Sequence, residues 1–152
     1  MRFRQKNAGA FFLEGRLCQV CPAVRGASYD PGKLVGLVCG TRSPSTGLDH
    51  DSMHGHDPTG PTLCIHSVAV EGRYRRRGIA SALVKAYMEQ VALTQPGVRR
   101  VCLISKAPLL GMYAACGFHL VGLSPIMHGR DPWFEMRMDL DQEEPRMMPF
   151  LQ

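Results

Sequence analysis

Residues 63–87 read LCIHSVAVEGRYRRRGIASALVKAY, and the hydrophobic period changes partway through them. Leu63 to Val70 is a nearly continuous apolar run, the pattern of a buried strand. Gly72 to Gly78 (GRYRRRG) is a basic turn leading out of it. From Ile79 onward Ala80, Leu83, Val84, Tyr87, Met88 and Val91 recur at helical spacing, with Ser81, Lys85 and Glu89 on the polar face. A turn that opens a helix in this way is an anion site, because unsatisfied backbone N–H groups and the helix dipole point at one place. Gly78 permits close backbone approach, Ala80 keeps the first helical turn narrow, and Arg73, Arg75, Arg76 and Arg77 add positive charge. The segment matches neither GxxxxGK[ST] nor GxGxxG, but a pyrophosphate-sized anion needs neither motif. The bland alternative is a solvated basic turn.

The flanking sequence supplies the other elements. Upstream, Lys33 to Thr41 (KLVGLVCGT) is a mostly buried strand, preceded by a short strand-like GAFFL at Gly9 to Leu13 and a stretch from Gly15 to Gly32 broken by glycine and proline. Residues 42–61 carry Pro44, Gly47, Gly55, Pro58, Gly60 and Pro61 without apolar period and are expected to form a long flexible loop. Downstream of the helix, which stops before Pro96-Gly97, Val101 to Ser105 is a short strand and Pro108 opens a short helix that Gly117 can end in a left-handed cap. Phe118 to Leu123 reads as a strand. Trp133 to Leu140 alternates Phe134, Met136, Met138 and Leu140 with charged residues, the signature of a half-buried antiparallel strand. The tail 141–152 is expected to be loose. This order indicates an α/β (α+β) domain with a mixed sheet.

Composition sets the outer limits. The 152 residues are 45% hydrophobic and 20% charged, enough for one core, so a single domain over 1–152 is expected. No apolar run approaches a membrane span and the N-terminus lacks a secretory signal pattern, so a soluble, cytoplasmic protein with no membrane partner is expected. The net charge of +5 suits a polyanionic ligand. Nucleic acid is disfavoured, since no aromatic residues interleave with the arginines to stack bases. The six cysteines, Cys18, Cys21, Cys39, Cys64, Cys102 and Cys116, read as reduced thiols, mostly within apolar runs. Cys18 and Cys21 form a lone CxxC with no second pair, and His50, His54 and His56 lie in a Pro- and Gly-rich stretch. Neither group reads as a metal site.

Arg75-Arg76-Arg77-Gly78-Ile79-Ala80 resembles the Q/R-x-x-G-x-G/A signature of the GNAT superfamily of acyl-CoA-dependent N-acyltransferases, between a strand and a long helix as in that family. With CIHSVAV before it, MYAACGF after the next strand and PIMHGRDPWFEMRMDL at the end, the chain is similar to the arylalkylamine (serotonin) N-acetyltransferase branch and its non-animal relatives, from about Lys33 to Leu140. The resemblance implies a GNAT-like mixed, mostly antiparallel central sheet flanked by helices. It implies acetyl-CoA as cosubstrate, no metal, and transfer to a small primary amine, arylalkylamine or polyamine, by direct attack in a ternary complex. Val68, Ala69 and Val70 would pair their backbone with the pantetheine arm. Arg75, Arg76, Arg77, Gly78, Ile79, Ala80 and Ser81 would hold the pyrophosphate, and Ile104, Ser105 and Lys106 would line the cleft.

An alkylammonium has a pKa of about 10.4, so a proton acceptor is needed before it can attack. The resemblance assigns that role to His66, which otherwise reads as a packed strand histidine. It assigns the general acid for the departing thiolate, whose ordinary pKa is about 8.5, to Tyr113, otherwise a core aromatic. Vertebrate members carry a second histidine where this chain has Cys64, so a relay of two imidazoles is not available. GAFFL begins only at residue 9, so the usual N-terminal strand and helices that help cover the acceptor site are expected to be missing. Alternative readings are a non-catalytic or degenerate CoA-binding module and a protein or peptide amine acetyltransferase.

Overall fold

The computed structural model describes residues 2–3, 11–16, 34–48, 52, 55–126 and 128–140. Its strands are β1 (Arg2–Phe3), β2 (Phe11–Arg16), β3 (Leu34–Ser43), β4 (Thr62–Val70), β5 (Arg100–Ser105), β6 (His119–Leu123) and β7 (Phe134–Asp139). Two helices, α1 (Ile79–Thr94) and α2 (Leu110–Ala114), are joined to them by single 3-10 turns at Gly72–Tyr74 and Ala107–Leu109. The described strands form one sheet in the order β1-β2-β3-β4-β5-β7-β6. Only β4 and β5 pair in parallel, with α1 as the crossover between them; every other neighbouring pair is antiparallel. Such a crossover is what a parallel pair requires.

The 3.6-residue period of α1 decides which face is buried. Ile79, Leu83, Val84, Tyr87, Met88 and Val91 face the sheet, while Lys85 and Glu89 face outward; Ala80 is only half-buried. These side chains pack against Val35 and Val38 of β3, Leu63 and Ile65 of β4, and Val101 and Leu103 of β5. Strand alternation sends Cys64 and Cys102 to the opposite face, where Leu48 and Ile126 cover them in a smaller cluster with Ile104. In β7 the alternation places Met136 in the main core, with the charged positions half-buried or exposed. Gly117 takes φ +98 after α2, the left-handed conformation expected of it.

The segment 42–61 differs at its margin from the expected loop: Arg42 and Ser43 are the last two residues of β3. Arg42 is buried and donates from Nε to the carbonyl of Gly60 at 2.7 Å and from Nη1 to Gln95 at 3.0 Å. Its backbone N–H donates to Nδ1 of His56 at 3.2 Å, and the N–H of Asp57 returns to the Arg42 carbonyl at 2.9 Å. A buried guanidinium therefore ties this segment to the end of α1.

Gly15 and Arg16 belong to β2 and not to the broken stretch expected there. The expectation about elements covering an acceptor site falls on residues 4–10 and 17–33, outside the described residues, as do the Cys18–Cys21 motif, His50, His54 and the tail 141–152. Cys39, Cys64, Cys102 and Cys116 are free thiols. No helix among the described residues is long and apolar enough to cross a membrane.

Candidate active site

The site begins where the sheet splits. β4 pairs with β5 only through Thr62, Leu63 and Cys64, opposite Arg100, Val101 and Cys102, although both strands run on beyond that point. At the same place β4 bulges: Ser67 and Ile65 of β4 stand opposite consecutive residues Cys39 and Gly40 of β3. The extra residue, His66, sits at the bulge, a device that re-aims a side chain and bends the strand. Gly40 allows the close approach, since a Cβ there would lie 2.6 Å from the carbonyl oxygen of Cys64.

The far half of β4 then walls a cavity of about 600 Å³. Val68, Ala69 and Val70 form one side, and Arg75, Arg76, Gly78, Ile79, Ala80 and Ser81 form the end at the start of α1. Pro108, Leu109, Met112 and Tyr113 close the side belonging to α2, and Tyr74 completes the lining. The turn is braced from below: Arg75 Nε donates to the Val70 carbonyl at 3.0 Å, and the Glu71 N–H donates to the Val35 carbonyl at 2.8 Å. Gly78 is the N-cap of α1 with φ +75, and nothing lies within 4 Å of where its Cβ would be. The first intrahelical bond is from the Ala82 N–H to the Gly78 carbonyl, at 3.0 Å. The N–H groups of Ile79, Ala80 and Ser81 thus have no partner within the helix and lie at the cavity end. Arg76 adopts φ +61, an uncommon conformation for a side-chain-bearing residue, and lies exposed at the rim. Backbone donors, a helix N-terminus and two arginines make this end of the cavity fit for a phosphate-bearing ligand.

Tyr113 is the titratable group of the α2 side. It is 7% exposed, packs edge-on against Phe118 with ring centroids 6.0 Å apart, and has its phenol pushed up to about 12 by burial and, secondarily, by Cys116. At neutral pH it is an O–H donor. His66 does not line the cavity; it is half-buried, two residues along β4 from Val68, with Nε2 2.5 Å from the hydroxyl of Thr41.

Four residues expected at the cofactor do not line this cavity. Ile104 packs on the opposite face with Cys64 and Cys102, because alternation along β5 points it away from α1. Ser105 is buried and its hydroxyl donates to the Lys106 carbonyl at 3.2 Å. Lys106 is held outside by Asp131 at 2.5 Å and lies over the Trp133 ring, 5.2 Å from its centroid. Arg77 lies against the ring of Tyr74, 5.9 Å from its centroid. Conversely, Tyr74, Pro108, Leu109 and Met112 were not singled out from the sequence. Apolar residues at helical or turn spacing carry no signal that separates a cavity wall from a core.

The family model for the Acetyltransferase (GNAT) family matches residues 5–118. The chain is 29% identical over 121 residues to the serotonin N-acetyltransferase of Mesocricetus auratus, an alignment covering 80% of this chain and 58% of that protein. It therefore spans somewhat over half the length of this relative. The fold is shared with Arabidopsis thaliana NAA60 in complex with a bisubstrate analogue, at a TM-score of 0.63 and 16% identity over 89% of this chain and 78% of that one. It is also shared with a variant of the spermidine N-acetyltransferase SpeG of Vibrio cholerae, at a TM-score of 0.59 and 13% identity over 88% and 67%. Split sheet, phosphate-ready helix terminus and matched sequence agree, and the chain belongs to the GNAT acetyltransferase family.

Proposed function

We propose that the protein transfers an acetyl group from acetyl-CoA to a small primary amine, of the arylalkylamine or polyamine kind, within a ternary complex. The observation that carries this reading is the cavity between the splayed end of β4, the start of α1 and α2. Its anion-binding end suits the pyrophosphate of CoA, held by the backbone of Gly78 to Ser81 with Arg75 and Arg76. The edge of β4 at Val68, Ala69 and Val70, past the point where pairing with β5 stops, offers backbone groups to the amide-bearing pantetheine arm. Bound there, the thioester supplies the acetyl group.

Three steps fall to the protein. His66 takes the proton from the ammonium, directly or through water, so that the amine lone pair can attack. The ternary arrangement replaces a covalent enzyme intermediate by proximity, and no cysteine is required as nucleophile. As the new C–N bond forms and the C–S bond breaks, Tyr113 donates its O–H to the departing sulfur. The amine class is supported by the relatives named above, a serotonin N-acetyltransferase and a spermidine N-acetyltransferase. Free thiols suit a reducing compartment, and we place the reaction in the cytoplasm.

The test is release of free thiol from acetyl-CoA with tryptamine, phenethylamine, spermidine and a lysine peptide, preceded by a thermal-shift measurement with CoA. Turnover with one small amine class is the expected result. Turnover with the peptide alone would make the acceptor a protein amine. CoA binding without turnover on any amine would make this a CoA-binding module that lacks catalysis.

A further inference from the structure

A second cavity, of about 560 Å³, opens at the other end of β4. Arg42 and Ser43, which line it, stand opposite Leu63 and Thr62 in the β3–β4 ladder, whereas Val68 to Val70 wall the first cavity. His66 therefore lies on β4 between the two. Hydrogen bonds also join it to the second cavity. Ser52 is part of that lining, its carbonyl accepts from the Thr41 hydroxyl at 2.9 Å, and the same hydroxyl oxygen meets Nε2 of His66.

The chemistry of this cavity differs from that of the cofactor end. Its wall is made of short side chains, Ser43, Pro44, Ser45, Ser52 and Gly55, and no Phe, Tyr, Trp, Leu, Ile or Met lines it among the described residues. An aryl group binds chiefly by burying its ring, and it finds no matching surface there. The cavity does offer the carboxylate of Asp57. Thr59 donates to Oδ1 twice, from its N–H at 2.8 Å and from its hydroxyl at 2.6 Å, and these bonds hold the carboxyl below the usual range and ionised. Oδ2 has no hydrogen bond or ion pair among the described residues. Neither basic residue of the lining is paired with it. The Arg42 guanidinium is turned to Gly60 and Gln95, and His56 accepts the Arg42 N–H on Nδ1, as a neutral ring does. The sequence from Ser43 to Gly72 contains no Lys or Arg, while Arg73, Arg75, Arg76 and Arg77 stand together at the cofactor end.

We propose that the second cavity takes the far end of the acceptor, and that this acceptor is an aliphatic diamine or polyamine whose distal ammonium binds Asp57. This rests on the reading of the protein as a small-amine acetyltransferase and selects one of its two amine classes. The main chain sets the span. The Asp57 N–H donates to the carbonyl of Arg42 at 2.9 Å, next to Thr41, so Asp57 stands on the order of 10 Å from the Thr41–His66 contact. An extended polyamine bridges that distance with its other primary amine at His66.

The test compares thiol release for spermidine and putrescine, which carry a distal ammonium, with n-butylamine and tryptamine, which lack one. It uses the parent and Asp57→Asn, a change that keeps an oxygen for Thr59 and removes the charge. A kcat/KM for spermidine or putrescine about tenfold or more above that for butylamine is expected, with this ratio falling roughly tenfold in Asp57→Asn. A general loss of folding would lower both amines and leave the ratio alone. Equal use of butylamine and putrescine, a preference for tryptamine, or an unchanged ratio in Asp57→Asn overturns the proposal. Should no amine be turned over, the acetyltransferase reading fails, and calorimetric titration of spermidine into the protein with CoA present decides the site. Binding weakened about tenfold by Asp57→Asn supports a polyamine in this cavity; equal binding, or none, overturns it.

Discussion

Replacing Tyr113 by Phe removes one oxygen from the wall of the cavity and leaves the ring in place. The buried phenol, pushed up to about 12, stays protonated throughout any practical assay range. It is a weaker acid than the thiol it would serve, whose ordinary pKa is about 8.5. Complete proton transfer to the leaving sulfur is therefore uphill, and Tyr113 contributes mainly a hydrogen bond to developing negative charge. General acids are worth about 10²–10⁴-fold, and this mismatch puts Tyr113→Phe at the low end, roughly 10²-fold in kcat. That corresponds to about 2.7 kcal/mol of barrier. The edge-on contact with Phe118 survives the change, so the fold and the CoA cleft are retained. The assay is thiol release at saturating acetyl-CoA and amine, with CoA affinity measured separately by calorimetry. CoA affinity is expected to hold within about twofold, and a kcat within about threefold of the parent would refute the role. The same phenol links stability to alkaline pH. Its folded pKa lies above the unfolded value of 10, so the stability it contributes is intact below pH 10 and lost as pH rises through about 12. Tyr113→Phe should blunt that part of the alkaline decline in chemical denaturation midpoints.

Three further outcomes follow from other parts of the structure. His66→Gln should displace the acid limb of the pH–rate profile toward alkaline pH, where free amine is already present, and an unaltered profile would assign His66 to structure. Arg42→Ala strands the buried carbonyl of Gly60 and the half-buried Gln95 side chain and should cost about 2–3 kcal/mol in urea unfolding; a loss below about 0.5 kcal/mol would show that water replaces both bonds. Leu83→Ala opens a void in a position with no solvent exposure and should cost about 2–5 kcal/mol, read as a fall in the denaturation midpoint.

The parts of the fold with a clear period were legible in the sequence. Helix α1 buries the apolar positions its spacing selects, apart from the half-exposed Ala80, and β7 follows its alternation. The turn that opens α1 was legible because local rules suffice: a strand, a flexible glycine and a helix start. The bulge at His66 was not, since LCIHSVAV is apolar on both faces and hides a slip of register. The structure places Ile104, Ser105 and Lys106 outside the lining of the cavity, for a related reason. Matching by position ignores that alternation along β5 turns Ile104 to the other face, and that Asp131, far along the chain, captures Lys106. The Thr41–His66 contact joins residues on different strands, and no local pattern announces it.

Calorimetric titration of CoA into the parent, Gly78→Ala and Gly78→Glu asks whether CoA docks at the start of α1. Beyond the neighbouring residues no atom lies within 4 Å of the Gly78 Cβ position, so a Cβ fits there; both variants carry left-handed backbone strain of about 1–2 kcal/mol, and only Glu adds negative charge. Saturable binding by the parent is expected, retained in Gly78→Ala and weakened more than about tenfold beyond it in Gly78→Glu. Equal CoA affinity in Gly78→Ala and Gly78→Glu, both folded, would contradict it.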